Sequence, residues 1–330
     1  MFEQLLPRYN LHLSRPTKAE VEPVNQYALN CTYDLTDDVL DLVANSISES
    51  TRRAHQSDLD HFMAWGGSVP ASPQLVANYL AAHVETLAVA TLVRRVATIS
   101  KAHEAKGLEN PCRTALVKAA LRGIKRMRGT AQRQARPLLR DDLFAVLAAT
   151  DDSPKGLRDR ALLLVGFAGG FRRSELVGLD CGDVERVRQG LILTLRRSKT
   201  DQEGAGRKIG IPLGRSNWCP VAALEQWLEA AGIEDGPLFR RVDRHGHIST
   251  ERLSPEAVCL VVRERVATIG LDPSAYSGHS LRAGFATSAA QAGVSTVKIR
   301  AQTGHASDAM LSRYVRDGEI FTGNAAGYLL

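Results

Sequence analysis

Two side chains that could handle a phosphate group stand three positions apart in the segment SGHSLRAG, residues 277–284. His279 can accept or donate a proton near neutral pH, and Arg282 keeps its positive charge throughout the physiological range. A spacing of three places two side chains on one face of a helical turn. An isolated pair of this kind usually faces solvent at a helix start, so its meaning depends on the rest of the chain.

Four further segments carry side chains of matching chemistry: GGFRRSELVGL (169–179), RRSKTD (196–201), TGHAS (303–307) and MLSRYVRDG (310–318). Each residue of interest has an ordinary structural explanation when it is taken alone. An arginine after two glycines can cap a helix, a lysine can lie at a solvated hairpin tip, and a histidine can be hydrogen-bonded in a core. The order of all of them along the chain is the informative feature.

In this order the residues resemble the active site of the tyrosine recombinase (phage integrase) family, nearest its Cre-like subgroup. The resemblance covers about residues 137–320. More weakly, TRRAHQSDLDHFMAW (51–65) is similar to the start of the family's helical core-binding domain. The catalytic positions that the resemblance implies, with Tyr314 as nucleophile and Glu175 in support, are Arg172, Lys199, His279, Arg282, His305 and Tyr314.

The resemblance also implies a fold. It is mainly α with a small antiparallel β-sheet, built as a two-domain C-shaped DNA clamp with a helical N-terminal core-binding domain and a tyrosine-recombinase catalytic domain. From the N-terminus, the predicted division is a loosely ordered arm (1–34), a helical DNA-binding domain (35–130), a linker (131–137), and a catalytic domain (138–330) that ends in a tail (319–330).

The residue types explain what chemistry such a site performs. A tyrosine has a pKa of about 10 and needs help to attack a phosphodiester near neutral pH. Two arginines match the non-bridging phosphate oxygens and stay charged as negative charge builds in the transition state. Lys199 on a hairpin can protonate the departing 5′ oxygen, and Glu175 is expected to orient His279 or an arginine. The expected product is a 3′-phosphotyrosyl bond, which keeps the phosphodiester energy for rejoining, so we expect neither ATP, a metal nor another cofactor.

The charge distribution favours a polyanionic partner. The 330-residue chain has a formal net charge of +6, and residues 118–136 hold seven Lys or Arg and no acidic residue. A solvated helix face usually mixes both signs, so a stripe of one sign favours double-stranded DNA. The basic residues expected to contact it are Arg52, Arg53, Arg94, Arg95, Lys101, Lys118, Arg122, Lys125, Arg126, Arg128, Arg133 and Arg136.

Local patterns predict the elements that position these residues. Ser72-Pro73 and Ser254-Pro255 each supply a helix N-cap followed by proline at the first helical position. LILTLRR and RKIGIP predict two short strands around the polar turn SKTDQEGAG, and VDRHGHIST predicts a polar loop.

Other features exclude several classes of protein. The five cysteines are scattered and have no metal-ligand spacing, which indicates free thiols in a reducing cytoplasm. His245 and His247 lack a third ligand nearby in the sequence. The apolar run ALLLVGFAGGF (161–171) is too short to span a bilayer, and the start of the chain shows no secretory signal. We therefore expect a cytoplasmic protein of bacterial, phage or plasmid origin, without a membrane partner.

Three alternatives stay open at this stage. A catalytically silent DNA-binding protein of the same fold would be expected to lack Tyr314 or an arginine, and a basic helical scaffold protein would make the ordered residues a coincidence. A type IB topoisomerase would act as a monomer. The apolar tail EIFTGNAAGYLL (319–330) favours instead the family's homotetramer on a DNA site with inverted repeats, in which the tail docks in a neighbouring protomer. The tail could also fold back on its own domain.

Overall fold

A computed structural model describes residues 46–131, 134–196, 206–309, 311, 312 and 314. The chain divides between Gln132 and Arg133 into two compact units. The predicted arm (1–34), the predicted tail (319–330), Lys199 and Arg133 lie outside the described residues.

The described part of the N-terminal unit is helical. Its helices are α1 (Glu49–Ala64), α2 (Pro73–His83), α3 (Val89–Ala105) and α4 (Ala115–Arg128), with a short 3₁₀ turn at Pro111–Arg113. The Ser72 side chain accepts the backbone N–H of Leu75 at the start of α2, which confirms the predicted cap. The core of the unit is built from apolar side chains of all four helices, including Phe62, Tyr79, Leu92, Ile99 and Val117.

A buried acidic residue pairs with two of the predicted DNA contacts, Arg94 and Arg95. Asp58 is 1% exposed, lies 2.8 Å from Arg94 Nη2 and 3.5 Å from Arg95 Nε, and accepts a hydrogen bond from Thr98. Arg95 also donates to Tyr79 Oη at 2.8 Å. Because burial of a carboxylate is costly unless it is paired, the buried Arg95 has a structural role inside the unit and leaves little surface for a DNA contact, whereas Arg94 stays exposed.

The C-terminal unit is a helical body that carries two small sheets. Its helices are α5 (Arg140–Ala148), α6 (Pro154–Ala168), α7 (Arg173–Gly178), α8 (Pro220–Ala231), α9 (Pro255–Ala267), α10 (Ser280–Gln291) and α11 (Thr296–Thr303). Residues 161–165 of α6 are buried on every side, as expected for a helix at the centre of a core. The predicted cap at Ser254 is confirmed by its hydrogen bond with Ala257. Within the described ranges, no helix has both the length and the apolar character needed to cross a lipid bilayer.

The larger sheet confirms the two predicted strands and adds a third. Strands β1 (Val184–Val187), β2 (Gly190–Leu195) and β3 (Arg207–Pro212) pair antiparallel in the order β1-β2-β3. Leu195 pairs with Arg207 at the end of the ladder, next to the nine-residue segment 197–205 that lies outside the described residues. The predicted polar loop is instead a hairpin of β4 (Arg240–Val242) and β5 (Ile248–Arg252) around a short turn.

Candidate active site

Five of the six predicted catalytic side chains come together in the C-terminal unit, while Lys199 lies outside the described residues. Two of them are contributed by the loops before helices: Arg172 before α7 and His279 before α10. Arg282 lies in the first turn of α10, and His305 follows α11 by two residues. Tyr314 reaches the same place, because its hydroxyl contacts the His279 ring.

Close packing of the chain explains the small residues of SGHSLRAG. The backbone N–H of Leu138 donates to Ser280 O at 2.9 Å, which holds the chain against the start of α10. A Cβ atom at Gly284 would lie 1.8 Å from the carbonyl oxygen of Leu138. A glycine is therefore needed two residues after Arg282 if the helix is to keep this approach.

Arg172 is oriented by Glu175. The Glu175 carboxylate is buried, accepts the backbone N–H of Arg172 at 2.9 Å, and forms an ion pair with its guanidinium. The other terminal nitrogen of the Arg172 guanidinium, Nη2, donates to Gly304 O at 3.2 Å. Of the two alternatives left open by the sequence, the structure places Glu175 on the arginine.

Arg282 is held by backbone carbonyls rather than by an acid. Its side chain is 1% exposed, and Nη1 donates to Gly170 O at 2.7 Å and also to Thr303 O. Burial, followed by the charge of Arg172, lowers the pKa of Arg282 to about 10. The guanidinium is therefore cationic at neutral pH, and its charge is not cancelled by a direct carboxylate partner among the described residues.

The tyrosine hydroxyl lies against a neutral histidine. Tyr314 Oη is 2.7 Å from His279 Nε2. Burial, followed by the charges of Arg282, Arg172 and Arg173, lowers the pKa of His279 below 6.5. A neutral imidazole at this distance can accept the phenolic proton, which is what activation of a tyrosine requires.

His305 has a defined tautomer because of Thr303, a residue that the sequence analysis did not single out. Thr303 Oγ1 donates its only hydrogen to Ile299 O at 2.8 Å. It must therefore accept from His305 Nδ1, which lies 2.7 Å away. The neutral His305 ring thus carries its proton on Nδ1 and presents Nε2 as an acceptor, with its centroid 5.8 Å from that of Tyr314.

The environment of His305 predicts a pH dependence of stability. Burial, followed by the charges of Arg282 and Arg172, lowers the pKa of His305 from 6.5 to about 4. On acidification the unfolded chain takes up this proton before the folded chain does. The stabilisation is therefore complete above pH 6.5 and is lost as the pH falls toward 4, by up to about 3 kcal/mol.

Urea unfolding at a series of pH values from 7 to 4 measures this effect. The variant His305→Gln keeps a group that can hydrogen-bond to Thr303 but cannot titrate, so its free energy of unfolding should fall less steeply with acidification. A residual slope is expected from His279. Parallel curves for the variant and the wild type would contradict the buried, neutral state of His305.

His245 and His247, which the sequence analysis set aside as metal ligands, lie in a turn. His247 Nδ1 lies 3.0 Å from the Asp243 carboxylate in the turn between β4 and β5, and the rings of His245 and His247 are 6.1 Å apart. Among the described residues, no group of three or more His, Cys, Asp or Glu is arranged to hold a metal ion.

The basic residues of α4 form an exposed face. Lys118, Arg122 and Lys125 are all exposed and follow the spacing i, i+4, i+7, which places them on one side of the helix. The buried residues Val117 and Ile124 face the core. None of the ion pairs between described side chains involves this basic face.

The other predicted DNA contacts differ in their surroundings. Arg126, Lys101 and Arg136 are exposed, and Arg52 is half-buried. Arg53 lies 3.6 Å from Glu49, and Arg128 lies 3.0 Å from Glu85. These two pairs are on the surface, where ion pairs are weak enough to exchange for a phosphate.

Comparison with known proteins identifies the family to which the chain belongs. Residues 136–319 match the model of the family described as the phage integrase family. The chain therefore belongs to the phage integrase family. It is a tyrosine site-specific recombinase, as the names of its relatives also indicate.

Three similar proteins illustrate the range of the family. The chain is 39% identical over 290 residues to an integrase/recombinase xerD homolog of Selenomonas ruminantium, covering 85% of each chain. It is 27% identical to recombinase cre of Escherichia phage P1, covering 77% of this chain and 78% of that protein. A lambda integrase tetramer bound to a Holliday junction shares the fold with a TM-score of 0.61 and 20% identity, over 84% of this chain and 75% of that chain.

Proposed function

We propose that the protein cleaves and rejoins DNA strands at specific sites through a covalent 3′-phosphotyrosyl intermediate. The observation that carries this proposal is the contact of 2.7 Å between Tyr314 Oη and a neutral His279, beside the guanidinium groups of Arg172 and Arg282. This arrangement combines a nucleophile, a proton acceptor and two phosphate-binding forks. Family membership supports the same reaction class.

The cleavage step can be written for the residues of this chain. Tyr314 Oη attacks the scissile phosphorus while its proton passes to His279 Nε2. A bond forms between the phenolic oxygen and phosphorus, and the bond from phosphorus to the 5′ oxygen breaks. The departing oxygen takes a proton, for which we propose Lys199 as the donor. Rejoining reverses these steps with the 5′ hydroxyl of the incoming strand as nucleophile.

The two arginines are proposed to stabilise the charge that develops on the phosphate. Their positions are set in advance by Glu175, Gly170 and the end of α11, so little reorganisation is needed when the charge builds. The His305 ring, whose centroid lies 5.8 Å from that of Tyr314, is proposed to take up a proton when the phosphate binds, because a nearby anion offsets the arginine charges that keep the ring neutral. The proposed reaction uses neither a metal ion nor ATP.

A nicked suicide substrate tests this proposal. Cleavage releases a short oligonucleotide from such a substrate, which prevents rejoining and traps the protein on the DNA. We expect a slow band on a denaturing gel in the presence of EDTA and without nucleotide. A requirement for Mg²⁺ or ATP would refute the proposed mechanism, and site binding without an adduct would favour the catalytically silent alternative.

DNA is the proposed partner, and the basic face of α4 is proposed to contact its phosphates. Changing Lys118, Arg122 and Lys125 to alanine should weaken binding to all sequences alike. The slope of log K against log salt should become shallower by about 0.9 for each phosphate that the variant no longer neutralises, because fewer counterions are released.

Fluorescence anisotropy with a labelled duplex measures that slope between 50 and 200 mM salt. Over this range the Debye length falls from about 14 to about 7 Å. Arg113→Ala is the comparison variant: Arg113 is also exposed in the N-terminal unit and pairs with Glu104 at 2.6 Å, and the loss of this one cation can change the slope by no more than about 0.9. An unchanged slope in the triple variant, or an equal change in the comparison variant, would mean that the α4 residues form an ordinary solvated face and do not contact DNA phosphates.

We further propose that complete recombination requires four protomers on two DNA sites with inverted repeats. The lambda integrase tetramer on a Holliday junction, which shares the fold, supports this assembly. The tail 319–330 is proposed to dock in a neighbouring protomer. We also propose that residues 35–130 act as the DNA-binding domain, residues 131–137 as the linker and residues 138–330 as the catalytic domain.

A further inference from the structure

A third arginine lies beside the two predicted from the sequence. Arg207 is the first residue of β3, eight positions after Lys199 and two positions after the end of the segment outside the described residues. Burial alternates along β3, so that Arg207 shares the inward face with Ile209 and Ile211, while Lys208 points to the exposed face. A half-buried arginine at the inner edge of a sheet needs partners, and these partners identify its role.

The Arg207 guanidinium is held by the end of α11. Nη1 donates to Ala301 O and to Gln302 O, each at 3.0 Å. Nη2 is buried and has no hydrogen-bond partner among the described residues. A Cβ atom at Gly304 would lie 2.5 Å from Nη1, and Gly304 has a φ of +66°. Glycine at this position therefore gives the guanidinium room and permits the left-handed turn that leads to His305.

Three arginines thus share four successive carbonyls. Arg207 takes those of Ala301 and Gln302, Arg282 takes that of Thr303, and Arg172 takes that of Gly304. The last carbonyls of a helix have no partner within the helix and carry the negative end of its dipole. The C-terminal end of α11 therefore gathers the cations of the site without neutralising them.

The charges of this group suit a phosphate. Among the described residues, one carboxylate, that of Glu175, faces the three guanidinium groups, so these four side chains together carry a net charge of +2 in a largely buried place. Burial, partly opposed by Glu175, lowers the pKa of Arg207, and Arg172 lowers it further. This excess of positive charge is unfavourable in the protein without DNA. It becomes favourable when a phosphodiester with one negative charge binds, and more so when the phosphate gains a second negative charge in the transition state.

We propose that Arg207 is a positioning residue for strand cleavage: it fixes the end of α11, and through it the Gly304 carbonyl that holds Arg172 and the turn that carries His305. This inference rests on the proposed function. It assigns a part in the site to β3, a strand that the sequence analysis did not connect with the catalytic residues. A residue that merely joined the sheet to the helix would affect stability without a specific effect on the cleavage step.

Two substitutions test the proposal. Arg207→Gln removes the charge and the planar fork, and Arg207→Lys keeps the charge but loses the fork. At saturating suicide substrate we expect adduct formation to slow on the order of 10²-fold for the Gln variant and about tenfold for the Lys variant. The dissociation constant for DNA should change less than about threefold, because the substitution is expected to affect the rate of cleavage at saturation rather than the binding of DNA. Lys208→Gln, which removes a charge from the opposite face of the same strand, should cleave like the wild type at saturation.

A measurement without DNA separates a role in the site from a general loss of stability. The Arg207 charge is one of those that keep His305 neutral, so NMR titration of labelled histidines should show a higher His305 pKa in Arg207→Gln and little change in Arg207→Lys.

Wild-type cleavage by either variant at saturation would overturn the proposal, as would slower cleavage with an unchanged His305 titration in the Gln variant. If the Gln variant does not fold, the Lys variant tests the proposal by itself: adduct formation about tenfold slower than in the wild type supports the proposal, and the wild-type rate contradicts it. Absence of any adduct with the wild type would refute the proposed function instead, and it would leave the histidine titration as measured.

Discussion

Replacing Tyr314 with phenylalanine is expected to abolish the covalent protein–DNA adduct while leaving DNA binding close to that of the wild type. The substitution removes one hydroxyl group and almost no volume. That hydroxyl is the atom 2.7 Å from His279 Nε2, and phenylalanine offers no oxygen to attack phosphorus. The loss should therefore be complete within the sensitivity of a denaturing gel, and it should appear in the rate at saturating DNA rather than in the dissociation constant.

The chain offers a matched control for this variant. Tyr276 lines the same cavity of about 460 Å³ as His279 and Tyr314, and its own hydroxyl is buried without a hydrogen-bond partner among the described residues. Tyr276→Phe should therefore cleave as the wild type does. If Tyr314→Phe still formed an adduct, or if Tyr276→Phe lost it, the nucleophile would be assigned to the wrong residue.

The second large effect is expected at Arg172. Arg172→Gln removes a charged fork whose position is set by Glu175 and Gly304 O. Removing one preorganised donor to a developing negative charge typically slows a reaction about 10²- to 10³-fold, and we expect a loss of this size in the rate of adduct formation. Arg172→Lys should recover part of it, because an ammonium keeps the charge but cannot bind two phosphate oxygens in one plane.

Stability has to be followed in the same experiment, because the Arg172→Gln variant leaves the Glu175 carboxylate buried without its cation. Thermal unfolding of each variant shows whether the loss of rate exceeds any loss of folded protein. Arg186→Gln is a suitable control, since Arg186 is an arginine of β1 in a half-exposed pair with Glu225. Cleavage by Arg172→Gln at the wild-type rate would remove Arg172 from the proposed machinery.

Much of the site could be predicted because its residues are identified by type and order. His279 and Arg282 are three positions apart in the sequence, and the structure places them at the start of one helix. Helix starts such as Ser72-Pro73 were equally predictable, since the cap and the proline act locally. The short strand β1, with the sequence VERV, lacked a clear apolar alternation, and only its pairing with β2 defines it.

The roles of individual arginines could not be predicted in the same way. Arg95 and the basic residues of α4 look alike in the sequence, but Arg95 is buried beside Asp58, which lies in another helix. Arg207 is bound to carbonyls more than ninety residues further along the chain. Backbone carbonyls are present at every residue, so a hydrogen bond of this kind leaves no pattern in the sequence and becomes visible only in the folded chain.

Mass spectrometry of the trapped adduct tests the central claim most directly. After nuclease and trypsin digestion, we expect the remaining nucleotide on the peptide that begins at Tyr314, joined to the tyrosine oxygen through the phosphate at the 3′ end of the cleaved strand. The complementary product should carry a free 5′ hydroxyl. A nucleotide attached to any other residue, or a linkage to a 5′ phosphate, would contradict the proposed reaction.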